Sequence, residues 1–264
     1  MNICMMSLML ADQPIHEILA VASACGMGAI DWIGLHGTTA KALKAASDDA
    51  GIPIAAHTLF RPDGLYGDPE DMDTFRAALD AACEMAAPVL MVPPFATRNQ
   101  ISPENDRKRY IDFYGRAMEL AQKTPVQLTM ESTGFLNSPI TSAAECLEVL
   151  RAVPGLKLTF DFGNAATVED PVQSFLQLRS YIVHWHLKDW YISDLPFENS
   201  DRKRCGGYFA DAMIGDGDMP ISRFWSILTP EEKNLWVNPE TRDYTGKMPP
   251  LEAFQEICRR LRAM

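Results

Sequence analysis

Apolar and polar positions along this chain fall into short repeating units. Mostly apolar runs occur near residues 2–9, 29–35, 52–60, 88–94, 126–131, 156–162, 181–187 and 235–240. Each reads as a short strand followed by a loop. Between them lie helix-like segments with start signals. Asp68-Pro69-Glu70, Ser102-Pro103-Glu104 and Asp170-Pro171 each place a capping oxygen before a proline at the first helical position. Ser142-Ala-Ala-Glu145 fits a capping box. Gly26 and Gly51 sit where helices should stop. Eight strands alternating with about eight helices, with no break in composition, predict a single (β/α)₈ barrel domain over residues 1–264. A doubly wound open sheet is the rival. The absence of a G-x-G-x-x-G or P-loop after the first strand counts against it.

Composition narrows the class. Hydrophobic residues make up 47% of the 264, enough for a substantial core. No run of about 18 uncharged apolar residues is present, so no membrane span is expected. The apolar N-terminus lacks a basic n-region and reads as a first strand, not a signal peptide. Six cysteines are scattered without a C-x-x-C pair. That pattern points to reduced thiols in a cytoplasmic protein, and away from disulfides or structural zinc. A net charge of −11 disfavours nucleic acid as a partner.

Four polar residues close four of the apolar runs: Glu131, Asp161, His186 and Glu240, at spacings of 30, 25 and 54 residues. These are roughly one strand–helix unit, one unit, and one unit enlarged by a long loop. In a barrel they lie at or near the C-terminal ends of strands five to eight, where side chains point into the mouth and can converge. Three carboxylates and one imidazole suit a divalent ion such as Mn²⁺ or Mg²⁺. Unpaired charge at that depth is costly unless a cation offsets it. Taken singly, each carboxylate could equally be a surface residue or a helix cap; the repetition is the signal.

With these residues in place, the chain resembles the xylose-isomerase-like barrel superfamily. That group includes sugar and sugar-phosphate isomerases and epimerases, inosose dehydratases and endonuclease IV. The carriers are Pro14-Ile-His-Glu-Ile-Leu-Ala-Val-Ala-Ser-Ala-Cys-Gly26 after the opening strand, His57, Glu131, Asp161-Phe-Gly163, His184-Trp-His186-Leu-Lys-Asp189, Ile214-Gly-Asp-Gly-Asp218 and Glu240. The resemblance implies one divalent metal held by Glu131, Asp161, His186 and Glu240. Mn²⁺ is the first choice, with Mg²⁺, Co²⁺ and Zn²⁺ as alternatives. Two positions depart from the pattern. Many relatives carry Asp-x-Gly-His on the sixth strand, where this chain has Asn164. Asn can hydrogen-bond a hydroxyl but cannot exchange a proton near neutral pH. The second strand often ends with Glu; here Ile30-Asp-Trp-Ile-Gly-Leu-His36 has none, and Trp32 or His36 is expected in that part of the pocket. Five histidines in all are too few for the multi-metal cluster of an endonuclease IV.

Other residues carry competing readings. His184 shares strand parity with His186 one layer deeper, and reads as a hydrogen-bonded core histidine more than a ligand. His57 is either buried and inert or a substrate contact. Lys188 either pairs with Asp189 or offers charge to a developing oxyanion. Arg242 is a solvated cation or a bidentate anion contact. Asp216 and Asp218 read as turn-shaping. Residues 190–220 are too long for a plain connector and hold five aromatics. They could form a lid over the pocket or a contact with a second copy in a homo-oligomer.

The expected substrate is a small carbohydrate. Glu131 and Glu240 are the candidate proton carriers; His57, Asn164, Lys188 and Arg242 are the candidate substrate contacts. A divalent ion and two flanking carboxylates suit an isomerase or epimerase working through an enediolate. The alternative is a lyase, either dehydratase or decarboxylase, of a keto sugar or sugar acid. A non-catalytic accessory subunit is a third reading, disfavoured by the intact ligand set.

Overall fold

The computed structural model describes residues 1–60, 71–96 and 101–264. Seven parallel strands run in sequence: β1 (Asn2–Met6), β2 (Ala29–Ile33), β3 (Ile54–Thr58), β4 (Val89–Val92), β5 (Gln127–Glu131), β6 (Lys157–Asp161) and β7 (Ile182–Leu187). A side sheet follows, made of β8 (Asp189–Ser193), β9 (Asp201–Arg202) and β10 (Tyr208–Ala212). The eighth barrel strand is β11 (Trp236–Pro239), which pairs with both β7 and β1 and closes the ring in the order β1-β11-β7-β6-β5-β4-β3-β2. The predicted (β/α)₈ barrel is therefore the observed fold.

The helix starts follow the sequence chemistry. Ser102 caps Pro103–Ala121 by accepting from the Asn105 amide, and Asp170 caps Pro171–Leu178 by accepting from Val172 and Gln173. Ser142 and Glu145 form the reciprocal capping box at Ala143–Ala152. Gly26 and Gly51 take positive φ of 62° and 67° just past helix ends, the left-handed conformation that glycine adopts without penalty. The Asp68-Pro69-Glu70 start lies outside the described residues. The first apolar run, near 2–9, is longer than its strand: β1 stops at Met6 and Ser7–Leu10 turns as a 3₁₀ helix. Ser7 explains the bend, since its buried Oγ accepts from the Ile33 amide and lies 2.9 Å from His36 Nε2.

Strand alternation sorts the side chains into two populations. Outward-facing ones pack against helices; Trp32, for example, is fully buried with its indole donating to Ser47 Oγ on Ala40–Asp49. Phe160, Phe162, Phe175, Trp185 and Phe224 form an aromatic cluster, with Phe162 and Phe224 stacked at 4.4 Å. The lining of the barrel is more polar. Thr129 and Thr159 share a hydrogen bond of 2.9 Å, and Asp31, Thr58, His184 and Asn238 are all buried.

The side sheet was not predicted; the sequence suggested only a long excursion. Asp189 anchors it. Its carboxylate accepts from the amides of Trp190, Gly215, Gly217 and Met219, so the Gly-Asp-Gly-Asp segment wraps around one buried side chain. Asp189 is thus occupied by backbone and does not pair with Lys188. A Cβ at Gly217 would run into that carboxylate, so the wrap has room for glycine alone. Asp218 accepts from the Ile192 amide and Asp216 pairs with Arg260 at 2.7 Å, consistent with turn-shaping roles. At the far end, Arg204 reaches across to Glu145 with two hydrogen bonds of 2.9 and 3.1 Å, tying the excursion to a barrel helix.

Candidate active site

The four strands that carry Glu131, Asp161, His186 and Glu240 are consecutive around the ring. Asp161 and His186 are direct register partners, and Glu240 follows the end of β11. One ligand-type atom from each of the four residues lies within 4.8 Å of the others. His186 Nδ1 stands 2.6 Å from Glu131 Oε1 and 3.3 Å from Glu240 Oε2. Lys188 joins from just past the end of β7, with Nζ 2.9 Å from Glu240 Oε1 and 3.1 Å from Asp161 Oδ2. Gly163 makes that approach feasible: a Cβ there would sit 2.8 Å from Lys188 Cβ.

Burial and neighbouring charge push these groups apart in pKa. Burial drives Asp161 up; Lys188 pulls it back, the carboxylates of Glu131 and Glu240 add to the rise, and the net is about 7. Burial also opposes ionisation of Glu240, but Lys188 and His186 overcome it and hold that carboxyl at about 2. Burial favours neutral His186 and neutral Lys188; the surrounding carboxylates reverse both and raise them well above their ordinary values. The cluster is a carboxylate nest whose charge is offset by one ammonium and one imidazolium.

The same residues fit a divalent cation. Buried Asp161 Oδ2 accepts no well-aligned hydrogen bond within the protein. Three carboxylates with one imidazole match a hard to borderline ion of the Mn²⁺ or Mg²⁺ type. Binding would require His186 to give up its extra proton.

The remaining candidates fall at different depths. Asn164 donates from Nδ2 to the Ser132 carbonyl and lies 3.4 Å from Lys188 Nζ through Oδ1, facing the cluster. Arg242 is exposed at the rim, its guanidinium 5.6 Å over the Tyr244 ring. His57 is buried on β3, and its Nδ1 sits 2.9 Å from the Trp32 carbonyl. A carbonyl can only accept, so Nδ1 carries the hydrogen there. Burial holds this histidine below its ordinary pKa. The expectation that Trp32 or His36 enters the pocket is overturned. Trp32 faces the helices, and His36 is held at Ser7.

A cleft of about 650 Å³ opens over the cluster. Glu240, Lys188 and Asn164 form part of its lining, with Phe135, Arg242 and Tyr244 farther out. The excursion supplies Trp190, Arg202, Phe209 and Asp211 to it, with Trp190 and Phe209 packed at 4.2 Å. Of lid and intermolecular contact, the described residues give this segment a place in the cleft wall. Among the described residues, no helix is long and apolar enough to cross a membrane.

Residues 19–264 match the sequence profile of a family described as xylose isomerase-like TIM barrel. The chain belongs to that family. Solved structures agree on the fold. The apo 3-keto-D-glucoside 4-epimerase YcjR from E. coli superposes with a TM-score of 0.76 over 100% of both chains, at 17% identity. The probable 3-DHS dehydratase AsbF from Bacillus anthracis gives 0.75 over 99% of each chain, at 18% identity. A D-tagatose 3-epimerase-like protein gives 0.76 over 100% of this chain and 97% of its own, at 16% identity. No curated protein matches the sequence significantly. Within this family frame, sequence reasoning missed Asp31, which lies beneath His186 with Oδ2 3.6 Å from Nε2. The available signal was a lone charge inside Ala-Ile-Asp-Trp-Ile, a strand buried along its whole length.

Proposed function

We propose that this protein is an isomerase or epimerase of a small keto sugar or sugar derivative, dependent on one divalent cation. The observation that carries it is the convergence of Glu131, Asp161, His186 and Glu240 within 4.8 Å at the floor of a cleft. A cation bound there by those four residues would supply Lewis acidity to the carbonyl and neighbouring hydroxyl of the substrate.

The rest of the work falls to the chain. Glu131 and Glu240 reach the site from strands separated by β6 and β7, so one can take a proton from the α-carbon while the other returns it. Lys188, within 2.9 Å of Glu240, keeps that carboxylate ionised and presents an ammonium to a developing oxyanion. Asn164 offers its amide to a hydroxyl without exchanging protons. Trp190 and Phe209 shield the floor from bulk water, and Arg242 meets polar or anionic substituents at the rim. Sugar epimerases among structures of this fold are consistent with a carbohydrate substrate.

A lyase is the second reading. Asn164, in place of a proton-exchanging side chain, favours loss of CO₂, which needs no base, and the dehydration branch draws support from a probable dehydratase of the same fold. The test is turnover of keto sugars in D₂O with Mn²⁺ present. Reversible isomerisation or epimerisation should place deuterium next to the carbonyl of recovered substrate, and Glu240→Gln should slow that exchange by orders of magnitude. Irreversible release of water or CO₂ without exchange would transfer the assignment to the lyase. Elemental analysis should give one divalent ion per chain, lost in Glu131→Gln and Asp161→Asn. No ion in the protein and no stabilisation by Mn²⁺ would refute the cation.

A further inference from the structure

A second polar cluster lies directly beneath the first. Asp31 is fully buried on β2, where its neighbours in sequence are all apolar and buried. Asp31 Oδ1 accepts from Thr58 Oγ1 on β3 at 3.3 Å, and Oδ2 accepts from Asn238 Nδ2 on β11 at 3.0 Å. His184 Nε2 and His186 Nε2, both from β7, approach Oδ2 at 3.5 and 3.6 Å. One carboxylate therefore links strands β2, β3, β7 and β11 across the barrel interior. A buried ionised carboxylate is costly unless such partners compensate it.

The His186 ring spans the two clusters. Its Nδ1 edge faces Glu131 and Glu240 above, and its Nε2 edge faces Asp31 below. We propose that Asp31 is a positioning residue for the cation site: it holds the Nε2–H edge of His186, so that the Nδ1 lone pair is presented to the ion. Without a cation, Nδ1 faces Glu131 Oε1 at 2.6 Å and carries a hydrogen there; once a cation takes the Nδ1 lone pair, the one hydrogen left on a neutral His186 belongs on Nε2, facing an Asp31 carboxylate that can only accept. Fixing tautomer and ring orientation through the second nitrogen raises the value of the first as a ligand. At 3.6 Å the attraction to Asp31 is mainly electrostatic, and His184 braces the same oxygen from one layer down.

The deep cluster has a competing reading. Asp31, His184 and His186 offer three ligand-type atoms within 4.8 Å, so they could hold a cation of their own. Two features argue against it. Both oxygens of Asp31 already accept hydrogen bonds from Thr58 and Asn238. Ligation through both nitrogens would also strip His186 of both ring protons. The structure thus favours one cation per chain, with Asp31 acting through His186.

The proposal rests on the cation reading above, and the experiment separates the two. Mn²⁺ affinity and stoichiometry are measured by titration calorimetry, and Co²⁺ d–d absorption reports ligand geometry. Asp31→Asn, nearly isosteric, should keep its thermal stability within a few degrees and still bind one ion. Its affinity should fall about 10–100-fold and its Co²⁺ spectrum should change. Thr58→Val, which removes a single bond to Asp31, should change affinity less than about threefold. If Asp31→Asn does not fold, Asn238→Ala, which keeps the carboxylate and removes one anchor, should weaken binding several-fold. Unaltered affinity in a folded Asp31→Asn or Asn238→Ala, alongside lost binding in Glu131→Gln, overturns the positioning role and leaves the cation site standing. Two ions in the native protein and one in Asp31→Asn make the deep cluster a site in its own right, which also overturns it. No ion in the native protein removes both readings.

Discussion

Replacing Lys188 with methionine tests the electrostatics of the site most directly. Lys188 Nζ bridges Asp161 and Glu240 at 3.1 and 2.9 Å, and its side chain is only 15% exposed. Methionine keeps most of the volume and removes the charge. Deleting one partner of a buried ion pair costs about 3–5 kcal/mol, because the other charge is left uncompensated. The low end applies here. Asp161 already sits at about 7 with Lys188 present, so it can take up a proton instead of remaining charged. A loss of about 3 kcal/mol lowers the melting temperature of a chain of this size by roughly 6–12 °C. The penalty has a second side. Lys188 occupies oxygens of two candidate cation ligands, so its removal should tighten Mn²⁺ binding by about tenfold, equivalent to 1.4 kcal/mol. Mn²⁺ at 100 times its Kd contributes about 2.7 kcal/mol and should restore most of the lost stability. The assay is thermal unfolding of both proteins at pH 7.5, in chelator and across a Mn²⁺ titration. A metal-free Lys188→Met melting within 2 °C of the native protein would refute the argument, as would weaker Mn²⁺ binding in the variant.

Three further outcomes are expected. Burial pushes Glu145 up, but Arg204 and the Ser142 and Thr141 amides outweigh it and hold the carboxyl below its ordinary value. Its contribution is therefore full above the unfolded value of about 4.3 and is lost as pH falls through the lower folded value; Arg204→Ala should cost about 1.5–3 kcal/mol at pH 7 in urea unfolding and progressively less below pH 4. Phe224 packs on Phe162, Phe175 and Trp185 at 4.4, 5.0 and 5.2 Å, so Phe224→Ala should cost about 3–5 kcal/mol by denaturant unfolding, and a loss under 1 kcal/mol would contradict the packing argument. With a net charge of −11, metal-loaded protein should leave an abasic DNA duplex uncut at low salt; cleavage abolished by chelator and by Glu240→Gln would overturn that expectation.

The sequence by itself determined the architecture, because a barrel strand and its helix leave local signatures. Apolar runs, Ser102 and Asp170 before prolines, the Ser142–Glu145 box and the glycines at helix ends are short-range features, each legible within a few residues. Repetition of that unit also made Glu131, Asp161, His186 and Glu240 legible as a set, since strand ends in a barrel share one face. Tertiary structure decided what depends on groups distant in the chain. Asp31 reads as a lone acid in an apolar strand until closure of the barrel places His184, His186 and Asn238 against it, up to 207 residues away. Trp32 and His36 were misplaced because strand parity and the Ser7 bend, not proximity in sequence, set which way they face. The fate of Lys188 turned on Asp189, whose carboxylate is used up by amides from residues 190–219. Long-range closure chose each of these partners, because a buried charge takes whichever compensating groups the fold delivers to it.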